Sequence, residues 1–183
     1  MKAEHFMVTD IESIRESAPL LEAVERLRRR ELKTGKVDVR CLIVEGEDGS
    51  PKHVITEADV IKAILPWFFR ERKFSDFIAK WLSREIPIAA LDELYRDLAA
   101  SARKKTVKDV IADTPLVSVD PEDSLLKVAY EMHIERVKSL PVIKDGKVIG
   151  IVFRGAVFEA IADSILRCKG GPRPAPAEQG GDT

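Results

Sequence analysis

Thr56 and Asp59 are the residues whose types and spacing most readily do chemistry, in Thr56-Glu57-Ala58-Asp59. They stand where a β-like run, His53-Val54-Ile55, gives way to an apolar helical run, Val60-Ile61 and Ile64-Leu65. A helix starting at Glu57 offers unpaired backbone N–H groups and the positive end of its dipole, which together attract an anion. A carboxylate in the first turn can accept hydrogen bonds from vicinal hydroxyls. The same spacing is also a capping arrangement, with Thr56 at the N-cap and Asp59 at N3, and taken alone the motif reads more readily as a cap.

Other chemistry is sparse. The sequence has no nucleophile elbow, Walker-type phosphate loop or local nucleophile–base pair. Cys41 and Cys168 are far apart and no Cys or His lies in a zinc-type spacing, so neither a disulfide framework nor a metal site is expected. Asp48 and Asp145 belong to Gly-containing turns, and His133 has no identifiable partner. Arg26, Arg28, Arg29, Arg30, Lys33 and Lys36 form a basic run opposed by Glu31. Consecutive arginines wind around a helix and these lack interleaved aromatics, so nucleic-acid binding is the weakest reading. The 30 basic and 31 acidic residues balance to a net charge of −1, which gives no global pull toward nucleic acid or membrane. No run approaches the apolar length of a membrane span and the first residues lack a signal-type apolar stretch, so the expected location is cytoplasmic.

The elements that position these residues are duplicated. Two segments, 5–65 and 106–166, share the order strand, helix, strand, tight turn, strand, helix. Leu20, Leu21, Val24 and Leu27 align with Leu125, Leu126, Ala129 and Met132 as the apolar stripe of the first helix. Asp120-Pro121-Glu122-Asp123 reads as the start of the second-repeat helix. Each repeat then has a hairpin, turning at Gly46-Glu47-Asp48-Gly49 and at Asp145-Gly146, and a closing apolar helix. Between the repeats, 66–105 is too long for a structureless loop. Phe74, Phe77, Ile78, Trp81 and Leu82 predict one amphipathic helix, and Ile88, Leu91, Leu94, Tyr95 and Leu98 a second. Seven of the eleven aromatic residues fall in this insert, so it must pack on something, either its own repeats or another subunit. The Gly- and Pro-rich end, 167–183, is expected to be disordered.

The duplication, together with Leu140-Pro141-Val142-Ile143, Gly146, Val148-Ile149-Gly150-Ile151-Val152 and Thr56-Glu57-Ala58-Asp59, resembles a tandem CBS-domain pair, the Bateman module. The resemblance implies an α/β (α+β) fold of two β-α-β-β-α repeats packed sheet to sheet about a pseudo-twofold axis. Here a two-helix insert replaces the family's usual short linker. It also implies a regulatory role rather than an enzyme, no catalytic cofactor or metal, and up to two clefts for AMP, ADP, ATP or S-adenosylmethionine. By resemblance Thr56 meets phosphate and Asp59 the ribose hydroxyls. Thr9, Asp10 and Ile11 face the base, through backbone groups and one apolar side chain. His53 takes the place of Gly150 and, with Lys52 and Arg40 nearby, offers positive charge to a polyphosphate, although a surface role is the simpler account of all three. In the second repeat Phe153-Arg154-Gly155-Ala156 lacks both hydroxyl and carboxylate, so one competent site is expected.

The expected function is sensing an adenosine ligand at one cleft. The bound state is passed on as a change in repeat orientation to a protein target or to another copy in a homodimer, with neither nucleic acid nor membrane as partner. The alternative is a ligand-free adaptor that holds the insert helices for oligomerisation.

Overall fold

The computed structural model describes residues 1–29, 40–65, 88–111 and 114–167. The first expected insert helix (Phe74 to Leu82), the tail from residue 168, and Arg30, Lys33 and Lys36 lie outside the described residues.

In the first repeat β1 (Ser13–Arg15) runs parallel to β2 (Cys41–Glu45), and β2 pairs antiparallel with β3 (Pro51–Thr56). Helix α1 (Leu20–Arg29) follows β1, and α2 (Glu57–Ile64) leaves β3 directly. Helix α3 (Ile88–Ala102) belongs to the insert. The second repeat consists of α4 (Leu125–Ile134), the antiparallel hairpin β4 (Ser139–Lys144) and β5 (Lys147–Phe153), and α5 (Arg154–Arg167). At the hairpin tip Asp145 and Gly146 have φ of 50° and 76°, the left-handed pair of a two-residue turn that matches strand twist. Both hairpins shift register at the same place, Val44/Glu45 and Val142/Ile143, so the duplication extends to an irregularity.

The expected first strand of the second repeat is reduced to one bridge, Val119 to Val142. Two prolines explain it. In the first repeat the Ile43 N–H donates to Glu12 O and the Glu16 N–H to Glu45 O, each at 2.9 Å. The matching positions are Pro141 and Pro121, which have no N–H to donate, so only the two central bonds form: Val119 N to Pro141 O and Ile143 N to Val119 O. Pro121 therefore ends a strand rather than starting a helix. The Asp123 carboxylate accepts the Asp120 N–H at 2.8 Å and closes a turn, and Ser124 caps α4 by accepting the Lys127 N–H. The expected apolar stripe also needs correction. Leu20, Ala23 and Leu27 are buried in α1, and Val128 and Met132 in α4, whereas Leu21 and Leu126 are exposed. A residue one place along a helix points about 100° away, off the stripe that spacings of three, four and seven define.

Strand alternation sorts the core into layers. Leu42, Val44 and Ile55 face α1 and α2 in one cluster, and Leu140, Val142 and Val152 face α4 and α5 in another. Cys41 and Ile43 meet Ile151 and Phe153 in a third cluster, which joins the two sheets.

Each repeat also lends its leading segment to the other. Ala3, fully buried in the second core, donates its N–H to Asp123 O at 2.8 Å, and Leu125 donates to Met1 O. In return Val107, buried in the first core, donates to Ala18 O, and Leu20 to Lys105 O, both at 2.9 Å. Gly150 makes room for this exchange: a Cβ there would lie 2.6 Å from Met7 Sδ and 3.1 Å from Val8 O. Helix α3 lies against α2 and contributes Ala102 to the first core, while Lys105 Nζ donates to Ala63 O at the end of α2. Leu94 and Tyr95, expected on the buried stripe of α3, are exposed, whereas Leu98 is partly covered.

Candidate functional site

Thr56 ends β3 in extended geometry (φ −130°, ψ 175°), and the next residue is helical, so strand and helix meet without a loop. Both the N–H and the hydroxyl of Thr56 donate to Asp59 Oδ2 at 2.9 Å. Asp59 is 8% exposed, with Ser139 one of the two buried polar or charged side chains among the described residues. A carboxylate has about four lone-pair sites, of which Thr56 uses two. The other oxygen, Oδ1, has Lys62 Nζ at 3.7 Å, an ion pair beyond hydrogen-bond length, and so keeps acceptor capacity. Lys62 was not singled out in the sequence, although its place three residues after Asp59 on a helix was a usable signal.

The same device recurs where no strand–helix junction exists. The Thr106 N–H and hydroxyl both donate to Asp109 Oδ2 at 2.8 Å, on an exposed turn. Those two bonds, the backbone one first, hold the Asp109 carboxyl below its usual range. Thr-x-x-Asp geometry is thus a local lock by itself. What sets Thr56 and Asp59 apart is burial and position: Thr56 pairs with Cys41, which belongs to the apolar layer between the sheets.

The remaining expected residues fall into two places. His53 pairs with Val44, so it lies on the helix-facing side of β3, while Thr56, paired with Cys41, faces the second sheet. A strand alternates with period two, which puts residues three apart on opposite faces. His53 is half-buried. Burial pushes its imidazole below the usual range, Asp59 opposes that shift, and Lys62 adds to it. Thr9, Asp10 and Ile11 follow Val8, which pairs antiparallel with Ile151 of β5, so the stretch runs beside the second repeat's last strand toward its hairpin. Ile11 packs on the layer of Cys41, Ile43, Ile151 and Phe153, with Val54 and Val148 alongside, and so shares with Thr56 its neighbour layer rather than a direct contact. It also lines a cleft of about 350 Å³ that runs to the two hairpin turns at Gly49 and Gly146; neither Thr56 nor Asp59 lines that cleft.

At the matching junction of the second repeat, Phe153 is buried between the sheets against Cys41, Ile43 and Ile151. Arg154 turns its guanidinium to Val137 O at 2.5 Å. Among the described residues no group of three or more His, Cys, Asp or Glu side chains is placed to hold a metal, and no helix is long and apolar enough to cross a membrane.

The CBS domain family model matches residues 3–66 and 107–163. Among solved structures, a CBS-domain-containing protein from Kribbella flavida DSM 17836 superposes with a TM-score of 0.58 at 25% identity, covering 88% of this chain and 98% of its own. The CBS domain of a membrane protein from Sphaerobacter thermophilus gives 0.56 at 25% identity, with 87% and 86% covered. CBSX2 in complex with AMP shares the fold, with a TM-score of 0.57 at 22% identity and coverages of 91% and 98%. No curated protein matches the chain.

Proposed function

Because the chain belongs to the CBS-domain family, we propose that it is a regulatory, non-catalytic module of repeats 5–65 and 106–166 that binds one adenosine-containing ligand at Thr56 and Asp59. One observation carries this reading: a buried carboxylate with a spare oxygen stands at the N-terminus of α2, beside the layer between the sheets. Asp59 Oδ1 accepts a ribose hydroxyl, and the free N–H groups of the first turn of α2 meet phosphate. Ile11, with the backbone of Thr9 and Asp10, forms the apolar wall for the base, and His53 acts from behind the strand rather than as a direct contact. The AMP complex of CBSX2 favours an adenosine ligand, with ADP, ATP and S-adenosylmethionine as the other members of the class. Phe153 and Ala156 leave the second junction without a hydroxyl or carboxylate, which makes the stoichiometry one. The bound state reaches a protein target or a second copy of a homodimer in the cytoplasm, through α2 and the insert helix α3 that lies against it.

The identical lock at Thr106 and Asp109 favours a second reading, in which Asp59 is only a cap and the chain is a ligand-free adaptor. A thermal-shift screen with AMP, ADP, ATP and S-adenosylmethionine decides between them. At a hundredfold excess over its dissociation constant a ligand adds about 2.7 kcal/mol, a rise in Tm of roughly 5–11 °C in a chain of this size. The adaptor shows no rise.

A further inference from the structure

The leading strand ends in the same turn in both repeats, but the side chains in that turn differ. In the second repeat the Asp123 N–H donates to Asp120 O at 3.0 Å, and in the first the Ala18 N–H donates to Arg15 O at 3.1 Å. The bonds received from the other repeat match as well: Ala3 N to Asp123 O, and Val107 N to Ala18 O. Arg15 and Ala18 thus stand where Asp120 and Asp123 stand. The Asp123 carboxylate accepts the Asp120 N–H at 2.8 Å and Lys127 Nζ at 2.9 Å. Ala18 has no carboxylate to offer the Arg15 N–H.

Strand β1 turns that N–H outward. Glu12 O and Glu16 N bond to β2, so Ser13 and Arg15 direct their backbone groups along the outer edge of the sheet. Both carbonyls there are occupied, Ser13 O by Arg26 Nη1 at 2.8 Å and Arg15 O by Ala18. Among the described residues nothing accepts the Ser13 or Arg15 N–H. The edge therefore offers donors only, which suits an oxyanion and blocks an added strand. A cleft of about 370 Å³ opens beside it, lined by Arg15, Arg26 and Glu45 but by neither Thr56, Asp59 nor any residue of the second repeat. Glu22, also in its wall, is paired with Arg26 Nη2 at 2.8 Å. The second repeat holds Asp120 and Glu131 in the places of Arg15 and Arg26, so the cationic wall belongs to the copy that lacks the carboxylate.

We propose that this cleft binds the carboxylate of a small organic acid or amino acid, seated where the Asp123 carboxylate sits in the second repeat. The Arg15 N–H and guanidinium hold the carboxylate, and Arg26 adds charge. Glu45, which makes no ion pair among the described residues, receives the ammonium of an amino acid.

The test is an amide NMR titration of the full chain with acetate, succinate, glycine and L-glutamate, for wild type, Ala18→Asp and Arg15→Gln. Wild type should show a saturable shift of the Arg15 amide. Ala18→Asp supplies its own carboxylate to that N–H and should bind tenfold or more weakly, and Arg15→Gln roughly fivefold or more weakly. Arg15 is exposed, so Arg15→Gln keeps the fold and decides the matter if Ala18→Asp does not fold. Tighter binding of the two amino acids assigns Glu45 to the ammonium, and tighter binding of the other two makes the ligand a plain organic acid. No saturable shift with any probe at about 50 mM overturns the proposal, as does wild-type affinity in either folded variant.

Discussion

Asp59→Ala and Asp109→Ala remove the same pair of hydrogen bonds from two environments, and their stabilities should differ sharply. At Asp59 the substitution leaves the Thr56 N–H and hydroxyl, both part-buried, without an acceptor and removes the acidic N3 residue of α2. A hydrogen bond to a charged group contributes about 1.5–3 kcal/mol and a helix cap about 0.5–2 kcal/mol, and here they are largely the same bonds, so the cost is about 1.5–2.5 kcal/mol. In a chain of this size that lowers Tm by roughly 3–10 °C. At Asp109 the released Thr106 groups are exposed and water replaces the lost acceptor, so Tm should fall by about 2 °C or less. The assay is thermal and urea unfolding of both variants against wild type without ligand. Equal losses, or a larger loss at Asp109, would refute the claim that burial distinguishes the two locks.

Two further outcomes follow from the packing. His53 is held below its usual range in the folded chain, so the unfolded chain takes up a proton first as pH falls. Stability is therefore greater above about pH 6.5 and declines as pH drops through the folded value; His53→Gln should flatten Tm against pH between about pH 7.5 and 5, and an unchanged slope would exclude His53 as its source. Gly150→Ala forces Met7 Sδ and the Val8 carbonyl away from β5 and should destabilise the chain by about 1–3 kcal/mol in urea unfolding, whereas an unaffected midpoint would mean that the leading segment yields freely.

Local features were legible in the sequence, and long-range ones were not. Repeat order, the Asp145-Gly146 turn and the second insert helix follow from periodicity and turn chemistry within a few residues. Pro121 misled because proline suits both a first helical turn and the end of a strand, and only its neighbour across the sheet decides. Leu126 misled because an apolar residue beside a buried stripe looks like part of it, whereas it is exposed. The exchange of Ala3 and Val107 between repeats depends on contacts between residues far apart in the chain, Ala3 with Asp123 and Val107 with Ala18, which no local pattern encodes. At the site, Thr56 and Asp59 were legible as a pair because their bonds are local. The position of Thr9–Ile11 beside β5 was not, because Val8 pairs with Ile151 across the two repeats. The side taken by His53 follows from counting in twos from Ile55, once the core face of β3 is known.

The most direct test of nucleotide sensing is calorimetry of AMP binding to nucleotide-free wild type, Asp59→Ala and the control Asp109→Ala. Wild type and Asp109→Ala should bind one AMP per chain with equal affinity, and Asp59→Ala should bind roughly ten- to a hundredfold more weakly, the ~1.5–3 kcal/mol of a hydrogen bond to a charged acceptor. Unchanged affinity in Asp59→Ala would remove that carboxylate from the site, and folded wild type that binds neither AMP nor its relatives would leave Asp59 as a helix cap and the chain as an adaptor.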